Sequence, residues 1–142
     1  MKARSNNPFM SSQGSLAALL LLYGAATLVH FIHNAEFLRD YPNLPATWTR
    51  AGVYGAWLGI TAIGICGWLL LTRGYRLTGF LFLAAYAALG IDSLGHYVVA
   101  PMSAHTLAMN ATILLEVTVA ALVFIECAKA ILRTLAGRGV AP

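Results

Sequence analysis

Charged residues are scarce in this chain: Asp, Glu, Lys and Arg make up 10% of its 142 residues, whereas hydrophobic residues make up 59%. Soluble domains carry about 25% charged residues, so this composition excludes an ordinary soluble protein. One membrane crossing takes about 20 mostly apolar residues. The chain therefore has length for four crossings with short connections and none for a soluble domain.

Cysteine is nearly absent as well, since Cys66 and Cys127 stand alone in apolar stretches without a CxxC pair. This excludes a disulfide framework and a cysteine-based metal motif, and it predicts two small packing residues. The net charge of +4 comes from basic residues in the termini and loops rather than along one helix face. We therefore expect a lipid bilayer as the partner and no nucleic acid.

The residues that are present predict an all-α protein, an integral membrane four-helix bundle. A polar lead is expected over residues 1–14, a single transmembrane domain over residues 15–135 and a short tail over residues 136–142. Turns that contain proline or basic residues separate the apolar stretches. The predicted helices cover Ser15–Leu38, Trp48–Leu71, Leu77–Val99 and Ser103–Leu135.

Positive residues are distributed unevenly between the two sides of the predicted bundle. Seven lie in the N-terminus, the second loop and the C-terminus, whereas two lie around the first loop. Positive residues favour the cytoplasmic side, so we expect both termini in the cytoplasm, in a bacterial inner membrane. The first and third loops then face outward. The aromatic residues Tyr41, Trp48 and Tyr97 lie at the outward ends and are expected to be membrane-interface anchors.

The second predicted helix is rich in glycine and contains no Asp, Glu, His or Lys. Gly55 and Gly59 form a GxxxG pair, a pattern that lets helix backbones approach closely in membranes. We expect this helix to be a packing element, either within the bundle or toward another chain. A homodimer or a larger membrane complex through this helix is therefore a prediction.

Polar residues concentrate in one part of the predicted bundle. All four histidines and four of the five acidic residues fall in or near the outward half of the helices. The histidines and three of these acids lie in the segments VHFIHNAEF (29–37), GIDSLGHY (90–97) and HTLAMNATILLE (105–116). An ionised side chain at mid-membrane costs roughly 2.5 to 3.5 kcal/mol, so residues of this kind are functional candidates.

Helical geometry indicates which of these residues can meet, because at 100° per residue three helices each offer a polar stripe to one interior. The first helix contributes Tyr23, His30, His33 and Asn34, with Glu36 on the flank. The third contributes Asp92 and His96, and the fourth contributes His105, Met109, Thr112 and Glu116, with Asn110 turned about 140° from His105. The depths predict a pocket that opens outward, with Glu116 at its floor.

Carboxylates beside imidazoles suit acid/base chemistry, because such a pair can hold and exchange a proton near neutral pH. We predict a protein that binds or converts a lipophilic small molecule by isomerase-like acid/base chemistry. The predicted catalytic residues are Glu36, Asp92, Glu116, His33 and His96. The predicted ligand-binding residues are Tyr23, His30, Asn34, Met109, Asn110 and Thr112.

Three other interpretations stay open. The first is a metal or haem site, since His30, His33 and Glu36 recur at one-turn spacing. The candidate metal ligands are His30, His33, Glu36, Asp92, His96 and His105. The second is an accessory subunit or a proton-linked carrier, and the third is interhelical hydrogen bonding without any ligand. The cofactor is accordingly none, a transition metal or haem.

These residues resemble the pattern of the four-helix EXPERA membrane fold, the group that includes the emopamil-binding sterol isomerases and the sigma-2 receptor. The resemblance is distant and fragmentary. It rests on His30 or His33 with Glu36, on Gly90 to Asp92, and on Met109-Asn110-Ala111. It implies a lipophilic amine or sterol-like ligand in the outward half, with a protonated carboxylic acid and its partner moving a double bond. The implied enzyme is an isomerase, and a metal-dependent membrane enzyme is the alternative.

Overall fold

A computed structural model describes residues 8–137 of the chain, with side chains described for residues 14–137. Over this range the chain forms helices and turns and no strand. The α-helices are α1 Pro8–Glu36, α2 Arg50–Thr72, α3 Arg76–Ile91, α4 Gly95–Val99 and α5 Leu107–Ala136. Short 3₁₀ helices occupy Asp92–Leu94 and Met102–Ala104. The prediction of an all-α chain is confirmed for these residues.

Four segments of the described range are long and apolar enough to cross a membrane, as predicted. They are Gly14–Glu36, Arg50–Thr72, Arg76–Val99 and Leu107–Ala136. The third segment joins α3, the turn Asp92–Leu94 and α4 into one crossing. We call the end of the bundle where α1 stops and α2 starts the histidine end, and the opposite end, where α2 stops and α3 starts, the arginine end.

Two helix starts differ from the prediction. α1 begins at Pro8, so the lead expected over residues 1–14 is helical from Pro8 onward, and residues 1–7 lie outside the described range. α5 begins at Leu107 rather than at Ser103, because the Thr106 hydroxyl accepts a 3.2 Å hydrogen bond from the Met109 backbone N–H and caps the helix there. The tail residues 138–142 also lie outside the described range.

The bundle is organised around α3, which packs against α2 on one side and α5 on the other, while α1 packs against α5 and α2. Interlocking side chains from α1, α3 and α5 dominate the buried core: Tyr23, Ala26, Leu83, Tyr86, Ala87, Val119, Ala120, Val123 and Cys127. Cys127 is fully buried and unpaired, in agreement with its predicted packing role. The core therefore holds the helices together below the polar region.

The outer surface of the bundle is apolar. Large hydrophobic side chains point away from the core on every crossing, among them Leu21, Leu22, Leu58, Ile65, Leu81, Val98, Leu115, Leu122 and Ile125. A surface of this kind is costly in water and favourable in hydrocarbon. The exposed residues thus agree with the hydropathy of the four segments.

Glycines permit the closest helix contact, which joins α2 and α3. A Cβ added at Gly79 of α3 would lie 2.7 Å from the Leu71 backbone nitrogen and 3.0 Å from the Gly67 carbonyl oxygen of α2. By contrast, a Cβ at Gly55 or Gly59 would meet nothing within 4 Å. The close contact inside the bundle therefore uses Gly67 and Gly79, and the GxxxG pair faces outward.

Replacing Gly79 by alanine should destabilise the bundle, because the new methyl group meets backbone atoms that cannot rotate away. We expect a loss of about 1–3 kcal/mol, the usual cost of overpacking. Gly59→Ala is the matched control, since it adds the same group where there is open space. Thermal unfolding in detergent should separate the two variants, and equal midpoints would refute the α2–α3 packing described here.

Candidate functional site

The structure brings all four histidines together at the histidine end, around the side chain of Tyr41. The Tyr41 ring lies 5.1 Å from that of His96, 5.8 Å from that of His33 and 6.4 Å from that of His105, between centroids. The rings of His96 and His30 are 5.4 Å apart. We call these five residues the histidine cluster. They come from α1, the α1–α2 loop, α4 and the turn before α5, so residues distant in sequence form one site.

Glu116 lies beneath the cluster and has two partners. Its Oε2 atom lies 3.6 Å from Nε2 of His30, and both side chains are 1% exposed. The same oxygen accepts a 2.7 Å hydrogen bond from the Ser93 hydroxyl. A carboxyl group inside the hydrocarbon region is stabilised only by such internal partners. Glu116 is thus a buried carboxyl group with partners on α1 and in the turn after α3.

Hydrogen-bond partners on two helices hold the ring of His30. The Asn34 amide nitrogen lies 2.9 Å from Nε2 of His30. Nδ1 lies 3.3 Å from the Thr112 hydroxyl, which donates to the Met109 carbonyl at 3.0 Å. His30 is therefore held in one orientation by α1 and α5.

Asn34 connects the two central histidines. Its amide nitrogen lies 2.9 Å from Nε2 of His30 and 3.5 Å from Nε2 of His96. Its carbonyl oxygen is buried and has no hydrogen-bond partner among the described residues. A buried acceptor without a partner is costly. Asn34 therefore has an unused acceptor beside His30 and His96.

Tyr41 is buried, with 4% of its side chain exposed, and its hydroxyl lies 2.9 Å from Nδ1 of His33. The expectation that it anchors the protein in the membrane interface is therefore wrong. The loop turns back over the bundle at Asn43, whose φ of 59° is a left-handed conformation that asparagine tolerates. The Asn43 amide also donates to the Val99 carbonyl at 2.9 Å and fastens the loop to α4.

His105 and Asn110 form the rim of the site. Nδ1 of His105 donates to the Pro101 carbonyl at 3.1 Å, and its buried Nε2 has no partner in the part of the chain that the structure describes. Asn110 accepts a 2.9 Å hydrogen bond from the Tyr97 hydroxyl and donates to the Met102 and His105 carbonyls. Asn110 thus braces the turn before α5, which is a different role from the predicted ligand contact.

Three predicted site residues lie apart from the histidine cluster. Glu36 accepts hydrogen bonds from Arg50 and from the Tyr54 hydroxyl, so it is engaged by α2 at the end of the bundle. Asp92 is exposed, because α3 stops at Ile91 and the 3₁₀ turn that follows directs Ser93, and not Asp92, toward Glu116.

Tyr23 is the third of these residues. It is fully buried in the core, where its hydroxyl donates to the Tyr86 carbonyl at 2.9 Å. Glu36 and Tyr23 therefore have partners away from the histidine cluster, whereas Asp92 lines the same groove as His30 and His96.

Met109 and Thr112 support the site from α5. Met109 is 1% exposed and its sulfur accepts from the Thr106 backbone N–H at 3.4 Å, so it belongs to the start of α5. Thr112 contacts His30 directly. Of these two predicted ligand-binding residues, Thr112 lies in the site and Met109 lies behind it.

A groove of about 360 Å³ runs along the bundle beside the histidine cluster, between α1, α2 and the third crossing. Its polar end is formed by His30, Asn34, Asp92, Ser93 and His96. Its walls are apolar: Phe31, Leu38, Leu44, Pro45, Trp48, Val53, Ala56, Ile60, Leu89 and Val99. Small-molecule sites have this combination of apolar walls and a few convergent polar groups.

The candidate metal ligands are close in space but are not arranged as a coordination site. Across residues 14–137, no three His, Cys, Asp or Glu side chains form a group that could hold a metal ion. Glu36 is engaged by Arg50, and the Asn34 amide lies between His30 and His96. The donor set that the sequence suggested for zinc, iron or copper is thus divided among separate contacts.

No family model, curated protein or solved structure matches this chain. The resemblance to the EXPERA fold stays a prediction, and the chemistry of the site is argued from its own geometry. Two participants were missed by sequence reasoning, Ser93 and Tyr41. Ser93 directly follows Asp92 in the polar segment 90–97. Its place beside an intramembrane acid could have identified it as a candidate site residue. Nothing local distinguishes Tyr41 from an interface anchor.

The pH dependence of stability should report on the buried hydroxyl of Tyr41. Burial raises the pKa of Tyr41 from 10.0 to about 12, so its contribution to stability is present below pH 10 and is lost as the pH rises to about 12. Tyr41→Phe should therefore lose less stability than the wild type over this range. Thermal unfolding in detergent measures the effect.

Tyr75→Phe is the control for that experiment, because Tyr75 is 62% exposed and lies in the turn at the arginine end. This variant should follow the wild type across the pH range. Identical pH profiles for wild type and Tyr41→Phe would contradict the buried position of the Tyr41 hydroxyl.

Proposed function

We propose that this chain is an integral membrane protein that binds a lipophilic small molecule in the groove and acts on its polar end by acid/base chemistry. The observation that carries the proposal is that Ser93 and His30 both line the groove and both contact Glu116. The buried carboxyl group is therefore connected to the groove by two groups that can pass a proton.

The topology follows from the charges. Arg73, Arg76, Lys129 and Arg133 lie at the arginine end, which agrees with a cytoplasmic location for that end. On this charge bias we propose that both termini are cytoplasmic. We place the protein in a bacterial inner membrane, with the histidine end and the groove in the outward half.

The apolar walls of the groove supply affinity for a lipophilic ligand, and its polar end orients the reacting group. At about 360 Å³ the groove falls within the range of small-molecule sites, roughly 300 to 1,000 Å³. Asn34 and the imidazole of His96 both line this polar end. A ligand that enters from the membrane would place its polar end against these groups and keep its apolar body between α1 and α2.

An isomerisation needs one proton delivered to the ligand and one removed from it. In the proposed reaction Ser93 delivers its hydroxyl proton to the ligand and takes a replacement from protonated Glu116. The neutral imidazole of His96 removes a proton from a second ligand atom. The imidazole of His30, whose ring lies 5.4 Å from that of His96 and whose Nε2 lies 3.6 Å from Glu116, returns that proton to Glu116. Asn34 positions the two imidazoles, and the number of protons is unchanged over one turnover.

Blocking the groove tests binding. Ala56→Trp should fill the space between the apolar walls, whereas Ala62→Trp adds the same indole on an exposed position of α2 outside the groove. Mass spectrometry of molecules extracted from protein purified in mild detergent is the measurement. We expect a lipophilic compound with the wild type and with Ala62→Trp, and its loss with Ala56→Trp. Equal retention by both tryptophan variants would exclude this groove as the binding site.

Removing the carboxyl group tests the chemistry. Glu116→Gln should lower turnover by about 10²- to 10⁴-fold, the usual contribution of a general acid or base, while the ligand still binds. Glu126→Gln is the matched control on the same helix, because Glu126 is exposed and pairs with Lys129 at the other end. Lipid profiles of cells that express each variant should show one compound that accumulates with Glu116→Gln alone. Profiles that are identical for both variants would overturn the acid/base role.

A further inference from the structure

The arginine end contains a second recess, of about 690 Å³, that is separate from the groove. It lies where α1, the α2–α3 turn, α3 and α5 meet. Along α5, Arg133 at its rim is about 25 Å from Glu116, at 1.5 Å per residue. The recess therefore shares no residue with the site proposed above.

Two arginines lie at the rim of this recess. Arg76 from α3 and Arg133 from α5 both line it, so two helices contribute one guanidinium group each. The carboxylate of Glu126 also lines it, and this group accepts a 2.8 Å hydrogen bond from the Lys129 ammonium group. Guanidinium groups from two helices at one recess suit a phosphate group.

Part of the lining of the recess is apolar. Leu16 and Leu19 of α1, Leu71 of α2 and Phe80 of α3 form its walls. A soluble anion gains nothing from such walls, whereas a phospholipid can place acyl chains against them and its phosphate between the arginines. The combination of apolar walls and a cationic rim distinguishes a lipid from a free anion.

We propose that this recess binds an anionic phospholipid, with the phosphate held between Arg76 and Arg133 and the acyl chains against the walls of α1 and α3. Arginine suits this role because its planar guanidinium group donates two parallel hydrogen bonds to phosphate oxygens. The bound lipid would join α1, α3 and α5 at the end of the bundle that lacks the polar network. It would therefore stabilise the helix arrangement that forms the distant groove.

The experiment titrates phosphatidylglycerol into the full-length protein in detergent and measures the bound fraction by native mass spectrometry. A positive charge near an anionic lipid contributes about 1 kcal/mol, so either Arg76→Gln or Arg133→Gln should weaken binding about fivefold, and both together about 25-fold. Replacing both arginines by lysine keeps the charge and should retain most of the affinity. Arg39→Gln, which removes a positive charge at the histidine end, should bind like the wild type.

Two further ligands distinguish the possible sources of the phosphate. Phosphatidylcholine should bind more weakly than phosphatidylglycerol, and glycerol 3-phosphate, which has the phosphate without acyl chains, should not compete. Equal affinity of the wild type and the double glutamine variant would overturn the proposal. Competition by glycerol 3-phosphate would also overturn it, because the recess would then be a site for a soluble anion.

The outcome is independent of the function proposed for the groove. Ala56→Trp, which blocks the groove, should bind phosphatidylglycerol like the wild type. If instead this variant and the double glutamine variant lose the lipid equally, the lipid occupies the groove and the recess is not its site.

Discussion

The contact among Glu116, His30 and Ser93 is the constraint on which the histidine end depends. A carboxyl group buried between helices that are apolar enough to cross a membrane needs partners within the protein. His30 supplies one from α1, and Ser93 supplies the other from the turn after α3. Because His30 is in turn held by Asn34 and Thr112, the position of one acid on α5 fixes the relative rotation of α1, the third crossing and α5.

The two halves of the bundle are stabilised in different ways. In the half toward the arginine end, Gly67 and Gly79 let α2 and α3 touch along their backbones, and Tyr23, Leu83 and Tyr86 fill the remaining space. In the half toward the histidine end, polar contacts replace this packing and the third crossing is interrupted at Asp92. The two ends therefore differ in how their helices are held together.

Much of this arrangement could be predicted from the sequence. The four crossings, the burial of His30, Asn34 and Glu116, and the depth of Glu116 all follow from hydropathy and from the 100° rotation per residue, which are properties of single helices. The rotation of 100° per residue did not predict that Asp92 is exposed. It assumes a regular helix, whereas the helix gives way to a 3₁₀ turn at Asp92. It also gave no information on Glu36, whose partner Arg50 belongs to another helix.

The sequence by itself therefore determined that this is a helical protein suited to a membrane, and which three helices carry polar groups, because apolar length and helical periodicity are local. Only the tertiary structure decided which polar groups meet. Tyr41 lies among the histidines because Asn43 turns the loop back over the bundle, and Ser93 contacts Glu116 because α3 ends at Ile91 and a 3₁₀ turn follows. Both results depend on where a helix stops and what lies opposite it, and neither is encoded in the pattern of a single segment.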